Sequence, residues 1–131
     1  MRRPNRPAAR PRRFVDKPPE LPGWVEEVLE AIELRTLAKF ILLCHIHDNP
    51  DRRFEPPQFP IWSPARDGVV RKTLDDLVAR GVLSRHAGRR EVSYTYDPEA
   101  QRREQLKAFF EFLDDAWCRA RVLRWLAGGH P

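Results

Sequence analysis

The side chains best suited to chemistry gather in two places. The first is Cys44-His45-Ile46-His47-Asp48, which puts a thiol, two imidazoles and a carboxylate within five residues. These are ligand types for zinc and other transition metals. The surrounding LRTLAKFILLCHIH has helical periodicity, however, and on a helix His45 and His47 stand ~200° apart and do not converge. No CxxC or HxxxH completes a ligand set, so the segment reads as a core cysteine with half-exposed histidines. No metal and no cofactor are expected. Ser63, Ser84 and Ser93 lack the strand–turn–helix setting of an activated nucleophile. The six glycines form no phosphate-cradling loop. Glu26, Glu27 and Glu30 read as a solvated helix face. The chain is not expected to be an enzyme.

The second place is the stretch 64–98, PARDGVVRKTLDDLVARGVLSRHAGRREVSYTYDP. Arg66, Arg71 and Lys72 lie near its start, and Arg85, Arg89 and Arg90 lie in and beside a Gly-containing turn. Arginine donates paired hydrogen bonds to guanine, and both cation types neutralise phosphate. The whole chain carries a net charge of +5. Its first seventeen residues hold Arg2, Arg3, Arg6, Arg10, Arg12, Arg13 and Lys17 against Asp16 alone. The remainder is near neutral and polarised, with acidic opening helices and a basic unit at 64–92. Such polarity fits an oriented contact with a polyanion.

The elements that must position these cations follow from the pattern. Residues 1–22 are rich in Arg and Pro and read as a disordered arm, either solubilising or lying along nucleic acid. Trp24, Val25, Val28, Leu29 and Ile32 share one helix face. A second helix runs over about 34–47 and stops at Asp48-Asn49-Pro50. Residues 52–55 suit a short strand. Pro56, Pro57, Pro60 and Pro64 exclude a regular helix in the next segment. Phe59, Ile61 and Trp62 are too apolar for a solvated loop there. Ser63-Pro64 then starts a helix over 64–80, with Val70, Leu74, Leu77 and Val78 inward and Gly81 as its stop. Asp75 and Asp76 can pair with Arg71 and Lys72 at helical spacing. VLSR and EVSYTY make a hairpin around Gly88. Asp97-Pro98 repeats the helix-start signal, and one long helix is expected over 98–127.

That last helix has more apolar surface than one domain face should cover. Leu106, Phe109, Phe110, Phe112, Leu113, Trp117, Leu123 and Trp125 are therefore expected to pair with a second copy, giving a homodimer. The expected fold class is mainly α with a small β-hairpin (α+β). It divides into an arm (1–22), a domain (23–97) and a C-terminal dimerisation helix (98–127). No membrane span and no secretory leader are read, and two cysteines in apolar surroundings suit a cytoplasmic protein.

VVRKTLDDLVARGVLSR followed by REVSYTYDPE resembles the winged helix-turn-helix of MarR-, PadR- and TrmB-like transcription regulators. The resemblance implies a DNA-binding regulator. Helix 64–80 would lie in the major groove, and the wing 85–91 on the backbone or minor groove. It implies double-stranded DNA as partner, contacted by Arg66, Arg71, Lys72, Arg85, Arg89 and Arg90 together with the arm arginines. The segment EPPQFPIWSP departs from the family, which has a regular helix there. The alternative is a winged-helix adaptor that contacts proteins such as the transcription machinery, with Phe59–Trp62 as part of its surface.

Overall fold

Leu21 and Pro22 already belong to the folded body. In the computed structural model, which describes residues 21–129, Leu21 is buried and the Pro22 carbonyl accepts the N–H of Val25 at 3.0 Å. The arm expected over 1–22 is thus shortened at its end, and residues 1–20 lie outside the described residues. Helix α1 (Gly23–Ala31) buries Val25, Val28 and Leu29 and turns Glu26, Glu27 and Glu30 to solvent. Its stripe extends to Ile32 and Leu34, both fully buried.

Helix α2 (Leu37–His47) starts later than its periodicity suggests. Thr36 caps it, the side-chain oxygen accepting the Lys39 N–H at 3.1 Å. The residues between the helices form a true loop, with Glu33 at φ 50°. Strand β1 is short (Arg53–Phe54). The prolines then do what their missing N–H groups dictate. The chain makes two 3₁₀ turns, Pro56–Gln58 and Pro64–Arg66, and no α-helix between residues 48 and 66. Phe59 is buried, and Ile61 and Trp62 pack against the core.

Ser63 caps the second turn, accepting the Arg66 N–H at 3.2 Å. Helix α3 (Asp67–Ala79) follows and buries Val70, Leu74 and Leu77. Gly81 ends it at φ 79°, a conformation open to glycine at little steric cost. Strands β2 (Leu83–Ala87) and β3 (Val92–Tyr96) form the hairpin. The sheet is antiparallel in the order β1-β3-β2, with Phe54 opposite Tyr94 and Leu83 opposite Tyr96. β3 is central, so its polar Ser93 is buried along with Tyr94.

The single helix expected over 98–127 is two helices, α4 (Ala100–Leu113) and α5 (Ala116–Arg124). The break has a local cause. Asp115 leaves helical geometry (ψ 124°) and its carboxylate accepts the Cys118 N–H at 3.0 Å, starting a new helix. Asp97-Pro98 is not the helix start either. Asp97 accepts the Ser84 hydroxyl at 2.6 Å, Pro98 is buried, and α4 begins at residue 100. The broken helix folds back on its own domain. Leu106, Phe109 and Leu113 are buried in the one core that also holds Leu29, Leu43, Phe54 and Leu74. They are therefore not available to a second copy. Phe112 meets Trp24 edge-on at 5.6 Å, Phe110 stacks on His47 at 3.6 Å, and Trp125 packs against the core. Of the residues assigned to dimerisation, only Trp117 (71% exposed) and Leu123 (36%) face solvent.

The chain is thus mainly helical, with five α-helices and a small three-stranded antiparallel sheet among the described residues. No helix among these residues is long and apolar enough to cross a membrane.

Candidate nucleic-acid interface

The basic unit is α3 with its hairpin, and its geometry is set by three clamps. The first joins the N-terminal half of α3 to the hairpin. Arg71 donates Nη1–H and Nη2–H to the two Glu91 oxygens, both at 2.7 Å, and Nε–H to Asp67 at 2.8 Å. Asp67 also accepts the Trp62 indole N–H at 2.8 Å, which ties in the proline segment. Each partner shifts the other in the sense its charge requires. The Arg71 hydrogen bonds hold Asp67 and Glu91 below the usual carboxylate range, and the two carboxylates push the Arg71 guanidinium up.

The second clamp lies at the middle of α3. Tyr94, on the central strand, donates its hydroxyl to Asp75 at 2.6 Å, and Arg85 stands 3.5 Å from the same carboxylate. Burial and then the Asp75 hydrogen bond push the Tyr94 phenol up. The third clamp fixes the C-terminal end of α3 to the α1–α2 loop. Lys39, only 7% exposed, donates to the Glu33 carbonyl at 3.0 Å and to Asp76. Arg80 pairs with Glu33 and lies 3.6 Å from Asp76. Burial alone would raise Asp76, but the Lys39 and Arg80 contacts bring it below its ordinary value.

These clamps divide the sequence-derived cations into two sets. Arg71 and Arg85, expected among the DNA-contacting cations, are engaged within the unit, Arg71 by Asp67 and Glu91 and Arg85 beside Asp75. The pairing of Asp75 and Asp76 with Arg71 and Lys72 is likewise replaced. Arg71 reaches back to Asp67, while Asp75 turns to β3 and Asp76 to α2. The other four, Arg66, Lys72, Arg89 and Arg90, are exposed with no ion pair or side-chain hydrogen bond to any described residue. The arm arginines Arg2, Arg3, Arg6, Arg10, Arg12 and Arg13 lie outside the described residues. Lys72 sits on the solvent face of α3 among Ala65, Gly68, Val69 and Ala79, all exposed and mostly small. Small neighbours let a ligand backbone come close to the helix. The Arg71–Glu91 clamp holds the basic turn at Arg89-Arg90 beside this half of α3.

Glu91 was hidden from the sequence because it reads as one acid after two arginines. Its partner is twenty residues away, and no helical spacing announces that contact. Lys39 was hidden for a similar reason, as an ordinary polar position on an amphipathic helix.

The Cys44–Asp48 cluster is spent on packing. His45 tilts against Phe54 at 4.9 Å, and His47 lies parallel to Phe110 and edge-on to Tyr96 at 5.7 Å. Burial, with Asp48 adding to it, pushes the Cys44 thiol up to about 11. Burial lowers His47 below the ordinary imidazole range. Among the described residues no three His, Cys, Asp or Glu side chains are grouped to hold a metal. A cleft of about 540 Å³ beside His47 is lined by Arg103 and Lys107 but equally by Asp51, Glu111 and Asp114.

No protein-family profile matches the chain, and comparison with curated proteins and with solved structures finds no similar chain.

Proposed function

We propose that the chain is a non-enzymatic, double-stranded DNA-binding regulator of the winged helix-turn-helix kind, acting in the cytoplasm. The order helix, short strand, turns, helix, two-stranded hairpin and the sheet order β1-β3-β2 support this reading. α3 would enter the major groove, and the turn at Arg89-Arg90 would reach the backbone or minor groove. The two 3₁₀ turns at 56–66 stand in the place of the supporting helix, and the Trp62–Asp67 bond does the steadying.

The observation that carries the proposal is the placement of Arg66, Lys72, Arg89 and Arg90. A protein surface leaves a cation without a partner at little cost in water, but four of them on one rigid helix–hairpin unit make a phosphate-reading pattern. The adaptor reading loses one of its surfaces, since Phe59 is buried and Ile61 and Trp62 pack inward.

The test is duplex binding over a salt series, with the full chain, a chain lacking residues 1–20, and the isolated arm. The shortened chain should bind duplex with a measurable salt slope. If all binding resided in the isolated arm, the reading would fail.

A further inference from the structure

Once α4 and α5 are separated, the apolar surface left over is confined to one helix. Within α5 the inward residue is Val122, with Leu126 just beyond the helix end. The opposite face carries Ala116, Trp117, Ala120, Leu123 and, past the helix end, Ala127, every one exposed. On a period of 3.6 Ala116, Ala120 and Leu123 fall on one line, with Trp117 on its flank, and Ala127 follows in the π-type turn Trp125–Gly129. An outward face of this composition gains nothing from water. Trp117 alone leaves 71% of its surface uncovered.

The charges around this face say what covers it. The end entering α5 is acidic, with Glu111, Asp114 and Asp115, all exposed. The end leaving it is basic, with Arg121 and an exposed Arg124 in the last turn, whereas Arg119 reaches back to the entry and donates to the Leu113 carbonyl at 2.9 Å. A face that is acidic at one end and basic at the other is complementary to itself when reversed. It also sets the helix dipoles head to tail. Self-complementarity under a two-fold axis is the condition for an isologous dimer.

We propose that α5 packs against α5 of a second copy of this chain, antiparallel, with Ala120 on the two-fold axis. Counting outward from Ala120, Trp117 of one copy faces Leu123 of the other. Arg124 comes opposite Ala116, within reach of the acidic entry to the helix. Alanines at the centre let the helix axes approach to the short end of the ~8–10 Å range for packed helices. The pairing is independent of the DNA-binding reading, because it uses no residue of α3 or the hairpin.

The test uses the full chain in analytical ultracentrifugation. Wild type should sediment as a reversible dimer that weakens as salt rises. Ala120→Glu should weaken association by roughly tenfold or more, with an unchanged circular dichroism spectrum, since residue 120 is exposed. Geometry is read separately in a Cys118→Ser background. Ala120→Cys should cross-link to itself under mild oxidation, while Ala116→Cys should not, because antiparallel packing separates the two copies of residue 116. A monomer at hundreds of micromolar, or a dimer indifferent to Ala120→Glu, overturns the proposal. Self-cross-linking at 116 in place of 120 overturns the antiparallel arrangement. Loss of dimerisation with duplex binding by each subunit intact leaves the DNA reading standing, and the reverse result separates the two claims equally well.

Discussion

Arg71 and Glu91 meet through two parallel N–H···O bonds of 2.7 Å, fixing a helix to a hairpin across twenty residues of chain. A planar fork facing a carboxylate has one good geometry, so this pair sets the angle of the hairpin to α3. Glu91→Gln should lower the melting temperature, and so should Arg71→Gln. The double variant should lose less than the sum, the signature of direct coupling in a double-mutant cycle. Additive losses would mean that the pair is incidental. In duplex binding the two single variants should part company. Glu91→Gln releases a guanidinium and should not weaken binding, whereas a decrease would mark the clamp as needed for docking.

Lys72 and Arg66 should behave differently from Arg71. Replacing Lys72, Arg66, Arg89 or Arg90 by Gln should leave thermal stability nearly unchanged, since none has a partner among the described residues. Each should reduce the steepness of the salt dependence by about one if it meets a phosphate. A residue that reads a base would instead cost ~1–3 kcal/mol at one position of the site and relax preference there. Competition with altered duplexes distinguishes the two roles.

Phe109→Ala tests the assignment of α4 to the core. The ring is fully buried, so its removal should cost ~3–5 kcal/mol in chemical denaturation. Trp117→Ala, on the exposed side of α5, should cost the monomer little. If Phe109 were a docking residue instead, the order of the two effects would reverse.

Gly81→Ala should destabilise through two separable effects. The position has φ 79°, where a side chain is strained by ~1–2 kcal/mol. An added Cβ would also stand 2.5 Å from Glu99 Oε1, a flexible side-chain end. Adding Glu99→Ala should recover the steric part and leave the strain. Full recovery in the double variant would show that backbone conformation contributes nothing.

His47 gives the fold a pH dependence of definite sign. Burial lowers its pKa, against the pull of Asp48 and Asp114 in the other direction. The unfolded chain therefore takes up a proton first as pH falls. The stability that neutral His47 contributes is complete above ~6.5, the ordinary imidazole value, and is lost as pH drops from there through the lower folded value. His47→Phe should flatten the curve below pH ~6.5. Asp67 and Glu91 have depressed values, so their contribution is present above the ordinary carboxylate range and is lost at lower pH, in a separate window. A stability profile unchanged by His47→Phe would contradict the burial of the neutral ring.

What could be read from the sequence was local. Ser63 as a cap, Gly81 as a stop, the prolines of 56–64 as a barrier to helix and the hairpin around Gly88 are consequences of single side chains and their neighbours. The fold class followed from them. What escaped was long-range. The break at Asp114-Asp115 depends on one carboxylate choosing a backbone N–H over a solvated helical position, and hydrophobic spacing runs through that choice unmarked. The surplus of apolar residues after 98 was real, but α1 and α2 consume most of it. Periodicity states that a face is apolar and is silent on what covers it. Arg71 was legible as a cation near a helix start, but not as one already held by Glu91.

The pairing of early with late elements also bears on when the molecule can exist during its own synthesis. Among the described residues β1 finds its one neighbour strand in β3, some forty residues onward by the register Phe54–Tyr94, and α1 rests on α4, with Trp24 against Phe112. A ribosome emitting this chain thus releases α1 and β1 with their apolar sides uncovered, and the closing contacts form only as the last quarter emerges. Pairing across such distances is slow to form and leaves sticky surface exposed meanwhile. The strands and helices at the front of the chain are held open until the back arrives, so premature termination before α4 should yield an aggregating fragment and not a smaller working domain.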